Sequence, residues 1–201
     1  MTNLGRRARK RQYVRDQLYQ AAIELFVAQG YEATTMDQIA ERADVARATV
    51  FNYFSQKDGF LEEWGARRRA RVIEELTHEH ADERPVDERL RGYLQGLGDI
   101  NLASRAETKV LIVASMRFGR LMDDPTPEGE LTRIVEEGKT RGEVRAHVDP
   151  AEVGSIIAAS YFTNVLRWAS QEPAPFDLAE RLDRMLTIIL TGISAEEDHS
   201  G

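Results

Sequence analysis

Residues Thr34–Phe54 read TTMDQIAERADVARATVFNYF, and the reading of this stretch decides the fold. Thr35 and Gln38 have the spacing of a capping box, in which the threonine oxygen takes the amide three residues on and the glutamine reaches back. A helix of about two turns follows, burying Ile39, Ala40 and Ala43. Asp44-Val45 interrupts it, and aspartate is among the few non-glycine residues that tolerate the left-handed backbone of a tight turn. A second short helix is predicted from about Arg47 to Phe54. Val45 and Val50 fill the angle between the two helices, and the small Ala40 permits their close approach. Helix, tight turn, helix is the geometry of a DNA-reading helix-turn-helix.

Upstream, Val14, Leu18, Ala21, Ala22, Leu25 and Phe26 form an apolar stripe on one helical face, and Gly30 stands where that helix should stop. Downstream, Ser55-Gln56-Lys57-Asp58 reads as a new cap that starts a long helix towards Leu76. Later breaks fall at Asp82–Pro85, Ser104, Asp123–Pro127, Arg141–Pro150 and Glu172–Phe176. Thr126-Pro127 and Asp149-Pro150 each pair a capping side chain with proline at the first helical position. No sustained apolar–polar alternation and no hairpin turn signal is present, which argues against strands. The expected fold is all-α: a three-helix head with the helix-turn-helix, plus a larger helical-bundle body, about nine helices in total.

The chain has 201 residues, 42% hydrophobic and 30% charged, which suits one large or two small folded domains. Its net charge of −7 is unevenly spread. Residues 1–57 carry +3 and residues 58–201 carry −10, so two modules with different partners are expected: a DNA-binding domain over 1–57 and a second domain over 58–201. Within the first, residues 1–11 hold Arg6, Arg7, Arg9, Lys10 and Arg11, and are expected to be a disordered basic arm. No hydrophobic segment follows these cations and no apolar run reaches membrane length, so a cytoplasmic protein without membrane contact is expected.

Enzymatic readings fail on missing parts. The absence of cysteine removes disulfides, thiolate metal sites and a cysteine nucleophile. The four histidines, His78, His80, His147 and His199, include no i, i+4 pair, so no metal site is expected. Gly92, Gly96 and Gly98 follow no strand, and within a helix they serve close packing rather than phosphate binding. Asp123-Asp124 lies in a proline-flanked break. No enzyme activity and no cofactor is expected.

Three stretches, Ala21–Phe26, Gly30–Thr35 and Ile39–Ala43, continue through Val45–Phe54 and Lys57–Leu61 into a collinear pattern over residues 12–62. This pattern resembles the TetR family of bacterial transcriptional regulators. The resemblance implies a homodimer whose bodies join through their last two helices, and a palindromic double-stranded DNA operator. It also implies repression that a small-molecule effector relieves. Three positions depart from the family pattern: Asp44 replaces the usual turn glycine, Ala46 the usual serine, and Phe51 the usual tyrosine. Ala46 gives up a capping oxygen, which costs about 1 kcal/mol of helix stability.

The candidate DNA contacts are Thr35, Arg47, Thr49, Asn52, Tyr53 and Lys57. Arg47 offers a planar fork that matches guanine O6 and N7, and Asn52 can pair bidentately with adenine. Thr49 suits a base edge, a thymine methyl or a phosphate. Tyr53 and Lys57 are suited to the phosphate backbone, as are the amides beside Thr35. In the body, the helices near 153–169 and 178–193 are apolar on more than one face, which points to a subunit interface. Ile157, Tyr161, Val165, Leu182, Met185 and Ile189 are its candidates. Trp64, Met116, Phe118, Tyr161 and Trp168 are candidate walls of an effector pocket. The alternative is a constitutive or architectural DNA-binding protein with a solid body. Polar groups stranded inside the apolar helices (Arg117, Tyr161, Asn164 and Arg167 are candidates) would favour the effector.

Overall fold

The computed structural model describes residues 3–78, 83–117 and 127–192, with side chains from residue 5 onward. Among these residues the chain forms nine helices and no strand. They are α1 (Asn3–Gln29), α2 (Met36–Arg42), α3 (Arg47–Tyr53), α4 (Gly59–His78), α5 (Val86–Ala103), α6 (Arg105–Arg117), α7 (Pro127–Thr140), α8 (Pro150–Ser170) and α9 (Leu178–Thr191).

Packing divides the chain into two compact units. The first holds α1, α2, α3, the beginning of α4 through Arg68, and α6. The second holds the rest of α4 with α5, α7, α8 and α9. This division does not follow the expected boundary after residue 57, because the start of α4 and all of described α6 pack with the helix-turn-helix.

The core of the first unit is built on Leu18, Ala22 and Phe26 of α1, Ile39 of α2, Val50 of α3, Phe60 of α4 and Leu111 of α6. The Phe54 ring stacks on Phe60 with centroids 3.9 Å apart, and Phe60 meets Phe26 edge-on at 6.3 Å. α1 ends where expected: Gly30 adopts φ 89°, which an L side chain resists, and its amide donates to the Phe26 carbonyl.

Residues 1–11, expected as a disordered arm, instead belong to α1 from Asn3 onward. Once α1 is anchored by its core face, adding turns costs no new nucleation, and Arg, Ala and Lys propagate helix well. α4 starts at Gly59 rather than directly after Ser55, because residues 55–58 form turns closed by Gly59 N–H to Gln56 O and Phe60 N–H to Lys57 O.

In the second unit α7 packs on α8 and α5 on α9. Asp149 caps α8 by accepting from the Ala151 amide, with Pro150 first in the helix as expected. Gly96 lies against Val72: a Cβ there would come 2.8 Å from Cγ1 of that valine, so the glycine serves close packing. Arg89 is almost fully buried and donates to Glu137 at 2.5 Å. Asn101, also buried, donates to the Tyr161 hydroxyl and the Leu97 carbonyl, both at 2.8 Å.

Candidate nucleic-acid interface

The helix-turn-helix forms as its residues dictate. The Thr35 side chain accepts from the Gln38 amide at 3.2 Å, and Gln38 Oε1 accepts from the Thr35 amide at 2.9 Å, completing the capping box. The α2 C-terminus closes through Asp44, whose φ of 52° is the left-handed turn expected of it, and Val45 N–H returns to Ala40 O. Ala46 caps α3 with backbone alone; no side-chain bond forms there.

α3 turns Val50 inward, fully buried, and presents Arg47, Ala48, Phe51 and Asn52 to solvent. Thr49 and Tyr53 stand half-buried at the edges of this face. Arg47, Thr49, Asn52 and Tyr53 are therefore brought onto one short helix with at least an edge exposed. Its guanidinium is not loose. Arg47 Nε meets Asp37 Oδ1 of α2 at 3.0 Å, and its Cζ lies 5.5 Å from the Phe51 ring centroid.

Phe51 and Ala48 were not among the candidate contacts, yet they occupy the centre of the exposed face, Phe51 with 41% of its surface accessible. The signal was available: Phe51 stands four residues after Arg47, and Asn52 four after Ala48, which puts both pairs on one helix side. An exposed apolar ring beside an arginine and an asparagine suits a thymine methyl between hydrogen-bonded bases.

Lys57 is placed elsewhere than expected. Its ammonium donates to the carbonyls of Tyr31 (2.7 Å), Thr34 (2.8 Å) and Glu32 (3.3 Å), and lies 4.4 Å from the Tyr31 ring centroid. All three protons are thus spent on the loop between α1 and α2, where burial lowers the lysine pKa and the nearby Glu32 carboxylate opposes the shift in part. Tyr31, beneath it, has its phenol raised to about 12, by burial first and then by Asp58.

The candidate pocket residues that are described divide between the two units. Trp64 is buried in the first unit, donating its indole N–H to Glu107, while Met116 is 46% exposed on α6. Tyr161 and Trp168 are buried in the second unit, and Phe118 lies outside the described residues. The polar side chains suspected of being stranded have partners in three cases. Tyr161 accepts from Asn101, Asn164 donates to Ser160 O at 2.8 Å, and Arg117 pairs with Glu32. The unpartnered hydroxyl lies at a residue not anticipated: Tyr93 of α5 is fully buried and its Oη has no hydrogen-bond partner.

Among the interface candidates, Ile157, Val165, Leu182 and Tyr161 are buried within the subunit. Met185 and Ile189 are half-exposed along an open groove between α8 and α9 that also includes Ala159, Thr163 and Ile188. No group of acidic or imidazole side chains suited to a metal occurs among the described residues, and no described helix is long and apolar enough to cross a membrane.

A family model described as bacterial regulatory proteins, tetR family, matches residues 18–64, which span α1 to the start of α4. The chain carries the DNA-binding domain of the TetR family. Over 54 residues it is 52% identical to the HTH-type transcriptional regulator TcmR of Streptomyces glaucescens, a match covering 27% of this chain and 24% of TcmR. Along most of both chains (94% and 92%) it is 24% identical to the HTH-type transcriptional repressor KstR of Mycolicibacterium smegmatis. Among solved structures it resembles the TetR-family repressor FadR of Thermus thermophilus in complex with lauroyl-CoA. That likeness has a TM-score of 0.75 and 27% identity over 93% of this chain and 98% of that one. These relatives are transcriptional regulators rather than enzymes, and the chain described here is a transcriptional regulator with a DNA-binding helix-turn-helix.

Proposed function

We propose that this regulator is a homodimeric repressor that reads a palindromic operator through α3 and leaves it when a small molecule with a long acyl chain binds. The observation that carries the DNA reading is the exposed face of α3, where Arg47, Phe51 and Asn52 stand side by side over a helix anchored by Val50. Arg47 and Asn52 read base edges, Phe51 packs on a thymine methyl, and Thr49 and Tyr53 hold flanking phosphates.

The dimer is supported by the outward apolar residues of the last two helices. Ile156 and Ile188 are each more than half exposed, and Met185 and Ile189 line the same groove as Ile188. Joined there, two subunits form a closed interface between helix pairs and set their recognition helices one DNA turn, about 34–36 Å, apart. The acyl effector is supported by the likeness to a FadR that binds lauroyl-CoA, and by the buried Tyr93 hydroxyl, which lacks a hydrogen bond that a ligand carbonyl would supply.

A constitutive DNA-binding protein is the second reading. It is favoured by Tyr161 and Asn164, whose polar groups are satisfied within the protein. One experiment separates the two. A duplex selected from a random pool is titrated with the protein, with and without lauroyl-CoA, alongside a melting curve. A near-palindromic selected site, a raised melting temperature and release of the duplex support the effector reading. Selection without any melting shift or release supports the constitutive one, and failure to select any sequence overturns both.

A further inference from the structure

Asp37 carries the wrong charge for its place. It stands in the first turn of α2 with 60% of its side chain in solvent, beside the helix that meets a polyanion. A carboxylate there repels phosphates whatever the base sequence, so it weakens binding to every duplex. Stability does not account for it. Its partner is Arg47, whose side chain is 68% exposed, and an ion pair between two groups so well solvated adds little to a fold. The start of α2 is already held by the capping box of Thr35 and Gln38.

The geometry gives another reason. The turn at Asp44, closed by Val45 N–H to Ala40 O, folds α3 against α2, and Asp37 Oδ1 then lies 3.0 Å from Nε of Arg47, the first residue of α3. Nε is the inner nitrogen of the guanidinium. Both Nη groups lie beyond it at the tip of the planar group, and bidentate pairing with guanine O6 and N7 needs two such N–H donors. The Phe51 ring, its centroid 5.5 Å from Arg47 Cζ, is a second contact on the same guanidinium. Without these contacts a long cation at a helix start has many rotamers and faces the positive end of the backbone dipole. Holding it in one orientation beforehand removes an ordering cost from binding.

We propose that Asp37 is a positioning residue for base specificity: its carboxylate aims the Arg47 fork at a guanine edge and keeps it off neighbouring phosphates, weakening affinity for all DNA while sharpening discrimination. This rests on the reading of Arg47 as a base contact. Asp37 acts through the arginine and touches no base itself. Glu24 of α1 is another exposed acid of the same unit, but its partner is Arg42, at 2.5 Å, so the role does not extend to it.

The test titrates full-length wild type, D37N, D37E, E24Q, R47A and D37N/R47A at one fixed salt concentration. Three kinds of duplex are used: the site selected from a random pool, that site with single base pairs substituted, and a scrambled one. D37N should bind the scrambled duplex about 2- to 3-fold more tightly, since a repelling charge is gone. Its discrimination at the base pair that R47A relaxes should fall by about 3- to 10-fold, part of the roughly 10- to 100-fold carried by the arginine. Added to R47A, D37N should cost no further discrimination, because nothing is left to position. D37E, with the charge on a longer arm, should restore the weak binding to scrambled DNA and part of the discrimination. The melting temperature of D37N should stay within about 1 °C of wild type, and E24Q should discriminate as wild type does. Equal weakening of D37N on every duplex with a lowered melting temperature makes the residue structural and overturns the proposal. An equal loss of discrimination in E24Q assigns the effect to net charge and overturns it too. A loss at a different base pair, additive with R47A, would mean that Asp37 reads a cytosine amino group itself, and the proposal falls. Tighter binding by D37N with discrimination intact also overturns it, while the reading of Arg47 stands if R47A relaxes its base pair. If R47A relaxes none, that reading fails and the proposal with it.

Discussion

At the scale of single residues, two cations that look equivalent in the sequence have opposite fates. Arg47 keeps its fork in solvent, steadied by Asp37 and Phe51. R47A should cost about 1–3 kcal/mol per half-site on the selected duplex and relax preference at one base pair, with no change in melting temperature. Lys57 is spent on the carbonyls of Tyr31, Glu32 and Thr34. K57A should therefore lower stability by about 1–3 kcal/mol, the scale of charged hydrogen bonds lost from a half-buried site, and should show in a melting curve. A lysine that merely touched phosphate would leave melting untouched and lower the salt slope by about one per subunit. The sequence reads Lys57 as a helix start, but α4 begins at Gly59 and the lysine's partners are backbone carbonyls more than twenty residues away, and a carbonyl has no letter in a sequence.

At the scale of elements, α3 starts without a side-chain cap, because Ala46 supplies no capping oxygen although its ψ of 145° is that of an N-cap. A46S should stabilise the protein by about 1 kcal/mol, raising the melting temperature by several degrees while leaving the base preference alone. The joint between α1 and α4 responds to acid instead. Burial alone would raise the Glu63 carboxyl, but the hydrogen bonds from Arg15 and Arg67 outweigh it and hold the group below its ordinary value of 4.5. Its contribution is complete above that value and is lost as the pH falls through the depressed one. Wild type should thus lose stability relative to E63Q as the pH drops below about 4.5, with E63Q less stable by about 1–2 kcal/mol at neutral pH because two guanidiniums lose a half-buried partner. Melting curves of both proteins from pH 3 to 7 check the sign. Capping box, turn aspartate and recognition helix were legible because each depends on neighbours within four residues. The start of α4 was not, since the bonds that shape residues 55–58 include the reach of Lys57 to another loop.

At the scale of the whole molecule, two-sided apolar helices are easy to recognise and hard to orient. The sequence marks α8 and α9 as apolar on more than one face, but a period of 3.6 cannot say which face meets its own subunit. Ile157, Val165 and Leu182 went inward against the neighbouring helices, leaving Met185, Ile188 and Ile189 along the groove and Ile156 exposed on α8. I188E should therefore turn the proposed dimer into a folded monomer by light scattering, with an unchanged helical spectrum. V165E should instead unfold the subunit, because it buries a charge without a partner. A wild-type protein that scatters as a monomer at micromolar concentration would remove the dimer. The grouping of the candidate effector residues was illegible for a related reason: Trp64 and Met116 belong to one compact unit, Tyr161 and Trp168 to the other, and sequence spacing carries no record of that division.

That division has a consequence for heredity. The head is not written in one continuous stretch, since α6 joins α1 to α4 only after the chain has passed through the other unit. Leu111 and Ala114 of α6 share the same buried cluster as Leu18, Phe26 and Trp64. A gene fragment ending at residue 68 would strip that cluster of one wall and should express as a loosely packed, aggregation-prone peptide. Recombination that exchanged the rest of the gene behind this reading head would also replace α6, so a new second unit must arrive with a helix that fits the old cluster. The reading head is thus a part that evolution can retune by point substitution on α3 but cannot lift out and graft as a cassette.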